Sequence, residues 1–156
     1  MVKYLRVKAQ IKKFIVGGLM AQTNVKTKKA FGFFVMLLVA ALLVVTALVY
    51  MNNYQKLEVY MSWDAVNVMV AGAIAAVVLG IVGFSDLSSF ALAGAALVGL
   101  LLFAKAIYGY VVVVLVGIDL NSFDMNFIVT TALFAVSFVA SLITMFLPQK
   151  KVVIKK

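Results

Sequence analysis

Four long apolar runs, separated by short polar linkers, constrain this chain more than any other feature of its sequence. An α-helix needs about 20 consecutive, mostly apolar residues to cross the roughly 30 Å hydrocarbon core of a bilayer. Runs of that length lie at about 30–51, 65–84, 88–118 and 127–147. Only the third contains a charged residue, Lys105. The sequence therefore predicts four membrane-spanning helices.

The composition excludes an ordinary soluble protein. Of the 156 residues, 66% are hydrophobic and 12% are charged, whereas soluble domains average about half apolar and about a quarter charged. A soluble fold of this size leaves much of its area to water, so these few charges would leave large apolar patches exposed. The runs are continuous rather than alternating, which also disfavours a membrane β-barrel. The bilayer is therefore the expected solvent.

The linkers are too short to hold a further domain, and short connections favour antiparallel neighbours. We therefore predict an all-α membrane protein, a four-transmembrane-helix up-and-down bundle over residues 30–147. A basic amphipathic segment at 1–29 precedes the bundle, and a basic tail at 148–156 follows it.

The distribution of basic residues predicts the orientation. Twelve of the fourteen Lys and Arg residues precede the first span or follow the last. By the positive-inside rule both termini are cytoplasmic, in a multi-pass protein of the cytoplasmic membrane. The first apolar run has full span length, so it is expected to be a retained signal anchor rather than a cleaved signal peptide.

The amino-terminal segment carries an apolar stripe at helical spacing, formed by Tyr4, Val7, Ile11, Phe14 and Gly18. Five basic residues occupy the flanks and the opposite face: Lys3, Arg6, Lys8, Lys12 and Lys13. Such a helix can lie in the interface and contact anionic lipid headgroups. Two alternatives stay open, that these cations only enforce topology or that they dock on an acidic cytoplasmic protein. No nucleic-acid partner is expected, because the segment contains no recognition module.

Small residues recur every four positions in two neighbouring spans: Gly72, Ala76 and Gly80 in the second, and Ala91, Ala95 and Gly99 in the third. Helix backbones approach closely along ridges of this kind. We therefore expect the second and third spans to pack on each other.

Hydroxyl groups share one sector of the fourth span, at Thr130, Ser137, Ser141 and Thr144. In a membrane helix such groups bond to carbonyls of their own helix, reach a neighbouring helix, or line a polar path. Packing is the favoured interpretation, since no charged residue accompanies them. The aromatic residues of the first linker region, Tyr50, Tyr54, Tyr60 and Trp63, are typical of an interfacial belt.

Lys105 is placed near the middle of the predicted third span, where an isolated cation costs about 2.5–3.5 kcal/mol even on lenient insertion scales. Its ammonium therefore needs a partner, a water-filled cavity, or a tilted helix or one broken near Gly109 that lets it snorkel to the interface. The partner would be a carboxylate of another subunit or an anionic ligand. All five acidic residues of the chain lie outside the apolar runs: Glu58, Asp64, Asp86, Asp119 and Asp124.

The inventory of reactive groups is small. With no His and no Cys, the chain lacks thiol chemistry, disulfides and the usual ligands of zinc or haem. No paired carboxylates, nucleotide loop or activated serine can be recognised, so we expect neither an enzyme nor a cofactor or metal site.

Two functional hypotheses follow from these features. The first is a non-catalytic small subunit or assembly factor of a larger membrane complex, with copies of itself or other membrane proteins as partners. The alternative is an oligomeric, holin-like pore or small-anion channel, lined by Lys105 and the face of Thr130, Ser137 and Ser141.

Deleting residues 1–18 should leave all four spans inserted, because Lys26, Lys28 and Lys29 still mark the inner boundary of the first span. Cysteine accessibility measures this directly, since the chain has no native cysteine and single cysteines can be placed in each linker. An inverted accessibility pattern would show instead that the segment sets the topology.

Overall fold

The computed structural model describes residues 25–56, 58–117 and 124–154. The bounds of the four helices are α1 Phe31–Tyr54, α2 Trp63–Val82, α3 Ser85–Leu115 and α4 Met125–Phe146. A short 3₁₀ turn, Glu58–Tyr60, lies in the linker between α1 and α2. All four helices are long and apolar enough to cross a membrane. The predicted four-helix membrane bundle is therefore confirmed, and the chain is a multi-pass membrane protein.

The helices form a closed ring in which each packs on its neighbour in sequence and α1 also packs on α4. The interior contains fully buried side chains such as Met36, Leu43, Met69 and Leu92. Large apolar side chains also remain exposed on the outer faces of all four helices. In a bilayer this exposed surface meets lipid tails, so the apolar composition on both sides of each helix is explained.

The connection between α2 and α3 is a tight turn at Gly83 and Phe84. Gly83 ends α2 in the left-handed conformation at φ 106°, and its N–H bonds to the carbonyl of Leu79. A residue with a side chain is strained in this conformation, whereas glycine is not. The turn therefore sends α3 directly back along α2.

The interface between α2 and α3 depends on glycines, which have no side chain to hold the two helices apart. A Cβ atom on Gly72 would overlap the Cβ of Ala95, and one on Gly99 would lie 2.5 Å from Cγ of Met69. Both glycines therefore allow a close antiparallel approach, in which Gly72 lies level with Ala95 and Met69 with Gly99.

The other small residues have separate surroundings. Gly80 contacts α1 instead of α3, because a Cβ there would lie 2.7 Å from Cε of Met36. Ala76 is fully buried, and the carbonyl of Ala91 lies 3.8 Å from the Cβ position of Gly72. The small residues of α2 thus allow the close approach of both α1 and α3.

The start of α1 and the end of α4 also approach closely. The N–H of Ala30 donates to the carbonyl of Gln149 at 3.1 Å. A Cβ on Gly32 would lie 2.6 Å from the carbonyl oxygen of Pro148, so glycine is needed at this crossing.

A two-stranded antiparallel sheet forms a separate compact unit, and the sequence analysis did not predict it. Strand β1, Val25–Lys29, pairs with β2, Lys150–Ile154, so that Lys29 lies opposite Lys150. Val, Ile and Thr in these segments favour strands, whereas their lysines also suit a topology signal beside a span. The predicted amphipathic helix, including Lys3, Arg6, Lys8, Lys12 and Lys13, lies outside the described residues.

The close approach of α2 and α3 yields a matched pair of substitutions. Gly72→Ala should lower the free energy of unfolding by about 1–3 kcal/mol, because the added methyl overlaps Ala95. Gly94→Ala in α3 should leave it unchanged or raise it by up to about 1 kcal/mol, because nothing lies within 4 Å of its Cβ position and alanine favours a helix more than glycine does. Unfolding titrations with SDS in mixed micelles measure both values. Equal effects of the two substitutions would contradict the interface.

Candidate functional site

The site lies at the end of the bundle where α1 ends and α2 begins, which we call the distal end. An aromatic cluster holds three helices together there. Tyr50 of α1 is fully buried and makes edge-to-face contacts with Phe103 of α3 at 5.3 Å and with Phe134 of α4 at 5.5 Å. Phe103 and Phe134 stack with a centroid separation of 4.4 Å. Aromatic pairs of this geometry add to the stability gained from burial alone.

The hydroxyl of Tyr50 fixes the linker that leads into α2. It donates to the carbonyl of Tyr60 at 2.8 Å and accepts from the N–H of Ser62 at 2.7 Å. Ser62 in turn caps α2, since its side chain accepts from the N–H of Ala65 at 3.3 Å. One buried side chain therefore sets where α2 starts.

The interpretation of the linker aromatics as an interfacial belt is wrong for two of them. Tyr50 and Tyr54 are 0% and 5% exposed, because their side chains turn into the bundle, where Tyr50 finds a hydrogen-bond donor and an acceptor. Trp63 is 55% exposed, as an interfacial residue would be.

Lys105 lies at the distal end, which differs from the expected position in the middle of a span. Helix α3 continues without a break through Gly109 to Leu115. The register that places Met69 beside Gly99 brings Lys105 level with the first turn of α2. Lys105 follows the start of α3 by 20 residues, about 30 Å at 1.5 Å per residue, which matches the length of α2. The long α3 overhangs α2, so the midpoint of its apolar run is not the midpoint of the bundle.

A pocket of about 370 Å³ opens beside Lys105, between α3 and the start of α2. Its polar lining residues are Ser62, Asp64 and Lys105, and Trp63 also lines it. Lys105 and Asp64 are exposed, and in the part of the chain that the structure describes they form no ion pair with each other. We call this the Lys105 pocket.

Sequence reasoning missed the proximity of Asp64 to Lys105, because it placed the lysine by the midpoint of an apolar run. Counting residues outward from the turn at Gly83 and Phe84 would have brought the two to the same level.

The predicted polar face of α4 is buried inside the bundle. Thr130, Ser137, Ser141 and Thr144 are each at most 1% exposed. Two of them reach α1: Ser137 Oγ lies 2.7 Å from Oγ1 of Thr46, and Thr130 accepts from Nδ2 of Asn53 at 3.1 Å.

The other two hydroxyls of this face serve their own helix. Ser141 donates to the carbonyl of Phe138, and Thr144 to that of Ser141, each at 2.7 Å. The side-chain amide of Gln149 then donates to the carbonyl of Thr144 at 3.0 Å. Backbone carbonyls thus accept from all three side chains, whereas Oε1 of Gln149 is buried without a hydrogen-bond partner among the described residues.

The structure does not bring this polar face together with Lys105. The described residues that line the Lys105 pocket come from the first linker, α2 and α3, and include none from α4. Among the described residues there is also no group of three or more acidic side chains able to hold a metal ion.

No family model matches the chain, and no curated protein or solved structure is significantly similar to it.

The role of the Tyr50 hydroxyl can be tested with Tyr50→Phe, which keeps the ring but removes the partner of a partly buried N–H and of a partly buried carbonyl. The free energy of unfolding should fall by about 1–3 kcal/mol. Tyr108→Phe is the matched control, because Tyr108 is 70% exposed and its removal should have little effect. SDS titration of both variants provides the measurement. A neutral Tyr50→Phe would show that water replaces the hydroxyl.

Proposed function

We propose that this chain is a non-catalytic small subunit or assembly factor of a larger complex in a prokaryotic cytoplasmic membrane, with both termini cytoplasmic. The observation that carries the proposal is an apolar groove on the outer surface of the bundle. The groove lies between α1 and α2 and has a volume of about 330 Å³.

The floor of this groove is formed by small side chains. Ala40 and Ala73 are buried at its base, and Ala41 lies beside them. Its walls are larger aliphatic residues, namely Leu37, Val44, Ile74, Val77 and Val78. Lipid tails are as apolar as leucine, so helices associate in membranes chiefly through close van der Waals packing over small residues. A groove of this shape therefore supports docking of a transmembrane helix.

The internal hydrogen bonds of the bundle support the same proposal. Two hydrogen bonds join α1 to α4, one between Thr46 and Ser137 and one from Asn53 to Thr130. These side chains are thereby used to hold the subunit together. The pore alternative requires Thr130, Ser137 and Ser141 to share a wet path with Lys105, and their burial gives it no support.

The charged ends of the chain complete the proposal. Basic residues before α1 and after α4 favour a cytoplasmic location for both termini. The same cations can contact anionic lipid headgroups at the inner surface.

Native mass spectrometry after mild detergent extraction tests the proposal. We expect the protein to be released in assemblies that contain further copies of itself or other membrane proteins. A strictly monomeric species, under conditions that preserve other membrane complexes of the same cell, would contradict it. Ion or dye flux through liposomes that contain only the purified protein would favour the pore alternative instead.

The groove itself is tested by filling it. Ala41→Phe should reduce the assembled fraction by about tenfold or more, because the larger side chain prevents a helix from approaching the floor. Ala132→Phe in α4 is the matched control, since Ala132 is also exposed but lies outside the groove. Both variants should retain the stability of the bundle. Equal loss of assembly in both would show that the groove has no special role.

A further inference from the structure

The Lys105 pocket is lined by two side chains of opposite charge, one cation and one carboxylate. Lys105 and Asp64 line the same cavity, yet they form no ion pair within the described residues. The register of α2 on α3 places both at the end of α2, a helix of 20 residues. A helix of about 20 residues spans the hydrocarbon core, so a pocket at its end would open at the level of the lipid headgroups.

We propose that this pocket binds the headgroup of a phosphatidylethanolamine-type lipid. That headgroup is a zwitterion, in which two carbons join a phosphate to a primary ammonium group. Lys105 contacts the phosphate, and the carboxylate of Asp64 accepts hydrogen bonds from the ammonium group. This inference does not rest on the proposed subunit role.

The charges of the pocket select a zwitterion over a simple ion. A phosphate alone would gain from Lys105 but would be repelled by Asp64, whose first-turn position already suits a negative side chain at the start of α2. A cation alone would gain from Asp64 but would be repelled by Lys105. A ligand with both charges satisfies both side chains, and charge-assisted hydrogen bonds are stronger than neutral ones.

The donor and acceptor types select ethanolamine over choline. An ionised carboxylate only accepts hydrogen bonds, and a primary ammonium group supplies three donors. The quaternary ammonium group of choline supplies none and is usually held in a cage of several aromatic rings. Trp63 is the single aromatic side chain among the described residues that line the pocket.

The size and remaining lining also suit a lipid headgroup. The volume of about 370 Å³ lies at the lower end of the range for small-ligand sites, about 300–1,000 Å³. Leu102 and Ala106 of α3 line the pocket together with Lys105, and Met61 of the linker also lines it. These apolar residues can contact the glycerol and the first carbons of the acyl chains while the charged groups hold the headgroup.

Lipid titration by native mass spectrometry tests the assignment on the full chain in detergent. Phosphatidylethanolamine should bind at least about tenfold more tightly than phosphatidylglycerol or phosphatidylcholine with the same acyl chains. Lys105→Met and Asp64→Asn should each remove this preference, with a loss of at least about tenfold in affinity. The double exchange of Asp64→Lys with Lys105→Asp should restore part of the preference, because it keeps one charge of each sign.

Matched controls separate binding from folding. Lys56→Met removes an exposed lysine of the first linker, and Asp86→Asn removes the first-turn carboxylate of α3, as Asp64→Asn does for α2. Both should leave the lipid preference unchanged, and unfolding titrations should show that all variants remain folded.

Three results would overturn the assignment. Equal binding of the three lipids would exclude a headgroup site, and preference for phosphatidylglycerol strengthened by Asp64→Asn would indicate a simple anion site. Tight binding of soluble phosphoethanolamine, equal to that of the lipid, would assign the pocket to a soluble ligand.

Discussion

The close approach of α2 to α3 determines the arrangement of the distal end. Gly72 and Gly99 remove two Cβ atoms that would otherwise overlap Ala95 and Met69, and Gly83 permits the turn that makes the two helices antiparallel. With the turn and the contact levels fixed, each residue of α3 as far as Lys105 has a defined partner level on α2. Asp64 and Lys105 share a pocket as a consequence of this packing, although they are 41 positions apart in sequence.

Tyr50 joins the packed helices of the distal end to the linker between α1 and α2. Its ring joins α3 and α4 through Phe103 and Phe134, and its hydroxyl holds the backbone of Tyr60 and Ser62. The hydroxyl thereby satisfies one backbone acceptor and one backbone donor at the point where the chain enters α2. The position of the pocket wall at Ser62 thus depends on an aromatic side chain of a different helix.

The sequence predicted the parts of the fold that depend on local composition. Helix existence follows from apolar length, and the helix limits differ from the predicted spans by only a few residues. The level of an individual residue along the bundle is harder to predict, because it depends on the register between two packed helices. Lys105 shows this, since α3 is 31 residues long and only part of it runs beside α2.

Features that depend on contacts between distant parts of the chain were missed or misassigned. The pairing of β1 with β2 joins segments near opposite ends of the sequence, and neither strand alone shows with which segment it pairs. Likewise the burial of Tyr50 depends on Phe103 and Phe134, which no local pattern connects to it. The hydroxyls of α4 could be grouped on one face by periodicity, but their partners Thr46 and Asn53 could not be identified from that face alone.

The observed position of Lys105 at the distal end also affects the argument for the proposed orientation. A cation at the distal end adds positive charge to the side that the positive-inside rule assigns to the exterior, and so opposes that orientation. The bias in basic residues nevertheless stays large, because the chain between α1 and α4 contains two lysines, Lys56 and Lys105. The ends that precede α1 and follow α4 contain twelve basic residues. One lysine at the distal end does not reverse a bias of twelve basic residues against two, so the position of Lys105 is compatible with the proposed cytoplasmic termini.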